Sequence, residues 1–378
     1  MKSPQKYWFW LGALTGINPV YSKKLLDAFG NAYEVFRQPP EELRKLDFLN
    51  PKLLESLMDP SARRGIEERL YGLTKRGIEV ITPDDDKYPE LILEITDPPP
   101  VLFMRGAAAF KLGGLPIAVV GARNPTSYGI EMTKKIVSGL VAYGFTIVSG
   151  LAAGIDAAAH KAALDEGGKT VAFLGCGVER VYPASNRELM GDIIMNGSVY
   201  SEYMPGTIPF QHNFPRRNRL ISGASMGVVV VEAGERSGAL ITAGFAGEQG
   251  RDVFAVPGNA TSPLSKGANA LIRDGACIAT SAADIIAALN IYAGQFEQTP
   301  GSASHRRSVE AERAMDSLSA PERGVARLLK NRGPQDIDAI AAQCAIAAGE
   351  AGSLAVMLEI RGVLRRMADG KYSYAGDG

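Results

Sequence analysis

From Gly77 onward the chain alternates short, continuously apolar runs with stretches of helical spacing, and this rhythm is its clearest feature. The apolar runs are "IAVVG" (117–121), "FTIVSG" (145–150), "TVAFLG" (170–175), "SVYSE" (198–202), "GVVVVEA" (227–233) and "DVFAVPG" (252–258). Segments such as "SYGIEMTKKIVSGLVAYG" and "GALITAGFAGEQG" separate them and repeat their apolar positions at helical intervals. Strands apolar on both faces and joined by helices form a parallel sheet covered on both sides, so the pattern predicts an α/β, Rossmann-like core.

The flanks have a different texture. Residues 1–75 read as short helices ("YWFWLGALTG", "YSKKLLDAFG", "AYEVFRQ", "PEELRKL", "IEERLYGLTKRG") broken by Gly and Pro. Residues 76–292 hold the sheet pattern, and the polar stretch 293–315 reads as a linker. In 316–378 three helical segments, "SAPERGVARLLKN", "DIDAIAAQC" and "EAGSLAVMLEIRG", precede a hairpin signal at Asp369-Gly370. Three short helices and a hairpin predict a winged-helix domain.

At 378 residues the chain exceeds one typical core, and 46% hydrophobic with 22% charged residues is ordinary for a globular protein. Lys+Arg and Asp+Glu are both 41, so the formal net charge is zero. Only a local basic patch can then speak for nucleic acid. Cys176, Cys277 and Cys344 form no CxxC pair and read as reduced thiols of a cytoplasmic protein. No apolar run approaches the roughly 20 residues that span a bilayer. The apolar start runs into Gly16-Ile17-Asn18-Pro19 with no small-x-small cleavage site, which makes it a first core helix.

In open parallel sheets ligands bind beyond the carboxyl ends of the strands. Those ends carry "GARNPTSYG", "SGLAAGID", "GCGVERVYP", "EAGERSGAL" and "PGNATS", loops rich in Gly, Ser and Asn that open into helices with unpaired N–H groups. They are suited to an anion. "GARNPTSYG" is not G-x-G-x-x-G, and the next strand ends in Ser149-Gly150 where a ribose-binding acid would stand. "GGKT" (167–170) lacks the first P-loop glycine and precedes a strand. Neither NAD nor ATP is expected, and no cofactor or metal. Asp156 and His160, four apart beside Ala157-Ala158-Ala159, read as a packed, hydrogen-bonded pair fixing a turn.

"FQHNFPRRNRLISG" (210–223) gathers Arg216, Arg217, Asn218 and Arg219 behind two phenylalanines, and Arg123 follows the first strand. Guanidinium forks grip phosphate, and Phe210 or Phe214 can stack on a base, which points to single-stranded nucleic acid. Lys134 and Lys135 read as surface residues.

Six collinear motifs resemble the DNA-processing protein A (DprA/Smf) family: "VVGARNPTSYG", "IVSGLAAGIDAAAHKAAL", "GCGVERVYP", "SEYMPGTIPFQHNFPRRNRLISG", "VVVVEAGERSGALITAGFA" and "VFAVPG…SKGANALIRDGA". The resemblance implies a helical N-terminal domain, an extended Rossmann domain and a winged-helix tail. It further implies a non-enzymatic binder of single-stranded DNA that loads the recombinase RecA, as in natural transformation, and that dimerises through the Rossmann domain. By position it assigns the DNA site to Arg123, Ser149, Gly150, Phe214, Arg217, Asn218, Arg219, Ser237 and Gly238, with Asp156 and His160 as braces. Two positions depart from nucleic-acid patterns. Asn18 replaces the second glycine of a helix-hairpin-helix loop in "LTGINP", and the tail's recognition segment "GEAGSLAVMLEI" carries Glu350 and Glu359 without Lys or Arg. The tail therefore reads as a protein-interaction or regulatory module, with Arg361, Arg365 and Arg366 leaving modest room for DNA contact. Two other function classes remain open: an enzyme acting on nucleotides or nucleoside phosphates, with Glu232 its candidate, and a carrier of a small phosphorylated cofactor.

Overall fold

The computed structural model describes residues 4–107, 110–289, 318–344, 346–361, 363–366 and 370–374. The linker expected at 293–315 lies outside them. Contacts divide the chain into a large unit, holding the described residues 4–164 and 168–289, and a small unit that holds 318–374.

The described N-terminal residues form α1 (Gln5–Ala13), α2 (Pro19–Phe29), α3 (Ala32–Arg37), α4 (Pro40–Arg44), α5 (Pro51–Met58) and α6 (Ile66–Lys75). Asn18, Asn31 and Asn50 start three of them by accepting a hydrogen bond from the N–H three residues on, and Pro19 and Pro51 occupy the first helical position. The Asn18 amide is thereby engaged in a cap. Helix α5, "PKLLESLM", is missing from the hydrophobic-pattern reading, although Asn50-Pro51 announces it.

A nine-stranded sheet follows, in the order β1-β2-β6-β5-β4-β3-β7-β8-β9. Its strands are β1 (Glu79–Ile81), β2 (Leu102–Gly106), β3 (Leu115–Val120), β4 (Phe145–Ser149), β5 (Thr170–Phe173), β6 (Ser198–Ser201), β7 (Gly227–Val230), β8 (Asp252–Ala255) and β9 (Cys277–Ile278). From β6 through β9 all neighbours are parallel, as the apolar runs require. β1 and β2 add an antiparallel edge; β1 has three residues, and β2 buries only its first three before Arg105 and Gly106, so neither stands out as a buried run.

Crossover helices α7 (Ser127–Ala142), α8 (Ile155–Asp165), α9 (Arg187–Asn196), α10 (Asn213–Gly223) and α11 (Gly238–Glu248) are followed by α12 (Lys266–Arg273) and α13 (Ala282–Ala288). Side chains alternate across the pleat, so β3 sends Ile117 and Val119 to one apolar layer and Ala118 and Val120 to the other. The first layer is closed by Ile136 and Leu140 of α7, Ala159 of α8 and Ile285 of α13; the second by Leu220 and Ile221 of α10 and Ala243 and Ala246 of α11. A third apolar cluster joins the N-terminal helices to the sheet, with Trp10, Leu11, Leu25 and Leu53 in one core with Leu174, Met190 and Val199.

The small unit holds helices Ala320–Arg332, Ile337–Cys344 and Ala348–Ile360 and the antiparallel strands β10 (Leu364–Arg366) and β11 (Tyr372–Tyr374), a winged-helix arrangement. Ser319 and Glu322 form a reciprocal capping box at the first helix. The strands pair in register from Leu364 with Tyr374 to Arg366 with Tyr372; the expected two-residue turn includes Asp369, which lies outside the described residues.

Trp10 is 1% exposed and meets Phe36 edge-on at 5.0 Å within the cluster that joins helices and sheet. Trp10→Ala is expected to lower the unfolding free energy by about 3–5 kcal/mol, measured by urea denaturation, through cavity formation under the sheet.

Candidate functional site

At the carboxyl edge of the sheet the loops after β3, β4, β5 and β7 and the N-terminal halves of α10 and α11 line a cavity of about 650 Å³. Its residues include Arg123, Asn124, Asp156, Tyr182, Phe214, Arg217, Asn218, Arg236, Ser237 and Gly238.

Arg217, 4% exposed, forms the floor. It projects from α10 onto the strand ends, where its Nη1 donates to the Gly150 carbonyl at 2.8 Å and to the Phe173 carbonyl. Asp156, in the first turn of α8, accepts from the Gly150 N–H at 3.1 Å and the Ala152 N–H at 3.4 Å. A Cβ on Gly150 would stand 2.7 Å from Arg217 Nη2 and 2.8 Å from Asp156 Oδ2, so this close approach needs glycine. Burial raises the Asp156 carboxyl above its ordinary range while Arg217 pulls it down. Burial lowers the Arg217 guanidinium, and Asp156 opposes that shift. The two charges hold one another at the base of the site.

The rim is solvent-accessible and positive. Arg123 and Arg236 are exposed side chains of two different loops. Between them α11 begins at Gly238, capped by Ser237, whose hydroxyl accepts from the Ala239 N–H at 3.3 Å. The dipole of that turn adds to the guanidiniums. Asn218 ties α10 to α11 by donating to the Gly238 carbonyl at 3.2 Å. The arrangement can hold an extended anion against two outer cations and one buried cation.

Of the nine residues assigned from sequence, the cavity brings together Arg123, Phe214, Arg217, Asn218, Ser237 and Gly238. Three stand apart from its lining. The Ser149 hydroxyl is fully buried and donates to the Val119 carbonyl of the neighbouring strand at 2.6 Å. Gly150 lies behind the Arg217 side chain, as the contacts above require. Arg219, 5% exposed, points elsewhere: its Nε meets Asp97 Oδ2 at 2.9 Å and its Nη2 meets Glu202 Oε2 at 2.6 Å. Arg219 joins α10 to the segments beside β2 and β6.

Asp156 and His160 are braces, but of different things. His160 Nδ1 lies 2.6 Å from Thr170 Oγ1, whose own proton goes to the Ile147 carbonyl at 2.8 Å, so the imidazole donates through Nδ1. Burial holds its pKa at about 3, which keeps the ring neutral and makes the native state less stable as the unfolded chain gains a proton below its ordinary 6.5. Glu232 is 2% exposed and accepts from the Thr126 N–H at 2.8 Å and the Thr126 hydroxyl at 2.6 Å, at the start of α7 and outside the cavity lining. Arg236 and Tyr182 were not singled out from sequence. Both lie inside strand-end loops read there for their glycines, "GERSG" and "GCGVERVYP", and membership of those loops was the available signal.

Over residues 79–290 the sequence matches the family DNA recombination-mediator protein A, and over 309–370 the DprA winged helix domain. Protein Smf of Synechocystis sp. is 34% identical over 392 residues, covering 98% of both chains. DNA processing protein DprA of Streptococcus pneumoniae is 47% identical over 204 residues, or 54% of this chain and 71% of that protein. The X-ray structure of the Streptococcus pneumoniae protein superimposes with a TM-score of 0.63 at 35% identity, covering 79% of this chain and 99% of the other. A structure of DNA processing protein A from Helicobacter pylori, concerned with its single-stranded DNA binding mode, gives a TM-score of 0.51 at 29% identity, covering 56% and 95%.

Arg219 supplies a stability test. Burial raises both Asp97 and Glu202 against the opposing pull of Arg219, so the native state binds protons more readily than the unfolded chain and loses stability as pH rises past the ordinary carboxylate range. Arg219→Ala strands both carboxylates. It is expected to cost about 3–5 kcal/mol near neutral pH. That deficit should narrow as the pH is lowered and the carboxyls protonate, which urea melts at about pH 5 and about pH 8 compare. A deficit independent of pH would mean that the ion network is not its source.

Proposed function

The chain belongs to the DNA recombination-mediator protein A family, and on that premise we propose that it binds single-stranded DNA in the arginine-lined cavity and acts as a recombination mediator. In this reading a cytoplasmic homodimer, joined through the sheet domain, delivers the strand to a RecA recombinase, as in natural transformation.

The observation that carries the DNA reading is the convergence of Arg123, Arg217, Arg236 and the start of α11 on one concave surface of a chain with zero net charge. Phosphates can meet the exposed Arg123 and Arg236 directly, while Arg217 supplies positive potential from the floor. The flexible backbone of a single strand can follow such a pocket, and its unpaired bases remain free to stack on the aromatic rings there. The Helicobacter pylori relative, concerned as it is with single-stranded DNA binding, supports the same ligand.

The rival chemistry has less to work with. Asp156, the acid in the described lining, is hydrogen-bonded to the 150–152 turn, and Glu232 caps α7. No observation favours nucleotide turnover over binding.

Fluorescence anisotropy of a labelled oligo-dT across a salt series tests the assignment. Each phosphate contact on a single strand contributes about 0.7 to the slope of log affinity against log salt. Arg123→Ala and Arg236→Ala are each expected to weaken binding and flatten the slope by roughly that amount. Unchanged slopes in both variants overturn the phosphate assignment. RecA filament growth on the same oligonucleotide should be accelerated by the wild type and not by the double variant, and sedimentation at micromolar concentration should show a dimer.

A further inference from the structure

We propose that Tyr182 is the side chain on which a base of the bound strand stacks, and that Phe214 serves as its backing. This rests on the reading of the cavity as a single-stranded DNA site and assigns a residue within it.

Both rings line the cavity, with centroids 5.1 Å apart and planes inclined by 38°. Their surroundings differ. Phe214 is half-buried. A Cβ placed on Gly175 would lie 2.9 Å from its Cδ1, so the ring rests directly on that backbone. The Arg217 guanidinium approaches its centroid to 5.9 Å, and Tyr182 covers it from a further side. Part of the ring is thereby covered.

Tyr182 is 44% exposed. A lone exposed aromatic is unremarkable on a protein surface. This one stands in a polar, cationic cavity with a second ring behind it, on a loop fixed to the strand ends. Asn186, which follows it, donates through Nδ2 to the Leu151 carbonyl at 3.0 Å and the Ala152 carbonyl at 3.3 Å, the turn that Asp156 also holds. Arg180, which precedes it, donates to the Gly206 carbonyl at 3.0 Å. A platform anchored on both sides loses little freedom on binding, and its ring covers apolar surface when a base settles on it. Every base has a π-face, so the contact distinguishes bases from their absence and not one base from another.

The test compares oligo-dT with an oligonucleotide of equal length carrying abasic sites, by anisotropy, for wild type, Tyr182→Ala, Tyr182→Trp and Phe214→Leu. Tyr182→Ala is expected to weaken oligo-dT binding by about five- to hundredfold with an unchanged salt slope, while its abasic binding equals that of wild type. Tyr182→Trp should restore oligo-dT binding and report it by indole quenching, and Phe214→Leu, which removes the backing ring, should weaken oligo-dT binding by less than Tyr182→Ala does. Wild-type oligo-dT binding by Tyr182→Ala, or equal losses on both oligonucleotides, overturns the proposal. If Arg123→Ala still flattens the salt slope, only the Tyr182 assignment fails. If neither arginine nor tyrosine variants alter binding, the cavity is not the DNA site and both readings fall.

Discussion

One buried guanidinium, that of Arg217, organises the carboxyl edge on which everything else is mounted. Parallel strands end in carbonyls that the ladder no longer pairs, and in a dry environment each needs a donor. Arg217 answers two of them, at Gly150 and Phe173, and balances the Asp156 carboxylate, which in turn answers the N–H groups of Gly150 and Ala152. In a low dielectric such a network is strong when complete and costly when one member is missing. Completing it fixes α10 in both rotation and height. Phe214, one turn earlier, is thereby set against Gly175, and Asn218, the next residue, is set within reach of the Gly238 carbonyl. The geometry of the cavity follows from an interaction that lies beneath it.

This explains why the arginine run was legible as a site but not residue by residue. Successive helix positions turn by about 100°, so neighbouring arginines face different surroundings. Arg216 points to solvent, Arg217 to the strand ends and Arg219 to Asp97 and Glu202. Nothing in "PRRNR" says which face the sheet takes, because Asp97 and Glu202 come from segments far away in sequence. Ser149 shows the same limit on a strand, where a side chain at the last position can turn toward the ligand or toward the neighbouring strand. It turns to Val119. Asp156 and His160 share a helix face, as their spacing requires, yet each binds backbone or side chain outside that helix.

The parallel core was readable because burial on both faces leaves a mark at every position of a strand. Its six apolar runs became β3 to β8. β1 and β9, the two edges of the sheet, left weaker marks because they have three and two residues, and β2 because its three buried residues pass into Arg105 and Gly106. The helices around the sheet were marked by spacing, and the N-terminal ones by Asn-Pro caps that act locally. What sequence resolves is whatever a residue decides with its near neighbours; what it leaves open is which distant partner a buried polar group finds.

The charge distribution bears on how the two units divide the work. With zero net charge the chain has no long-range field to gather a polyanion, so affinity must come from contacts at close range. On the tail's helix Ala348–Ile360 the exposed positions among the described side chains are Ala348, Gly349, Glu350, Ser353, Val356 and Met357, without a cation among them, and Arg361 just beyond is paired with Glu322 at 3.1 Å. A helix that enters a major groove draws its affinity from displacing counterions, and this face has no group to displace them. The arginine cavity of the large unit does have such groups, supported by a buried cation and the N-terminal dipole of α11. In the proposed reading, electrostatic affinity for a nucleic-acid strand comes from the carboxyl edge of the sheet, where the Arg217 network fixes the loops.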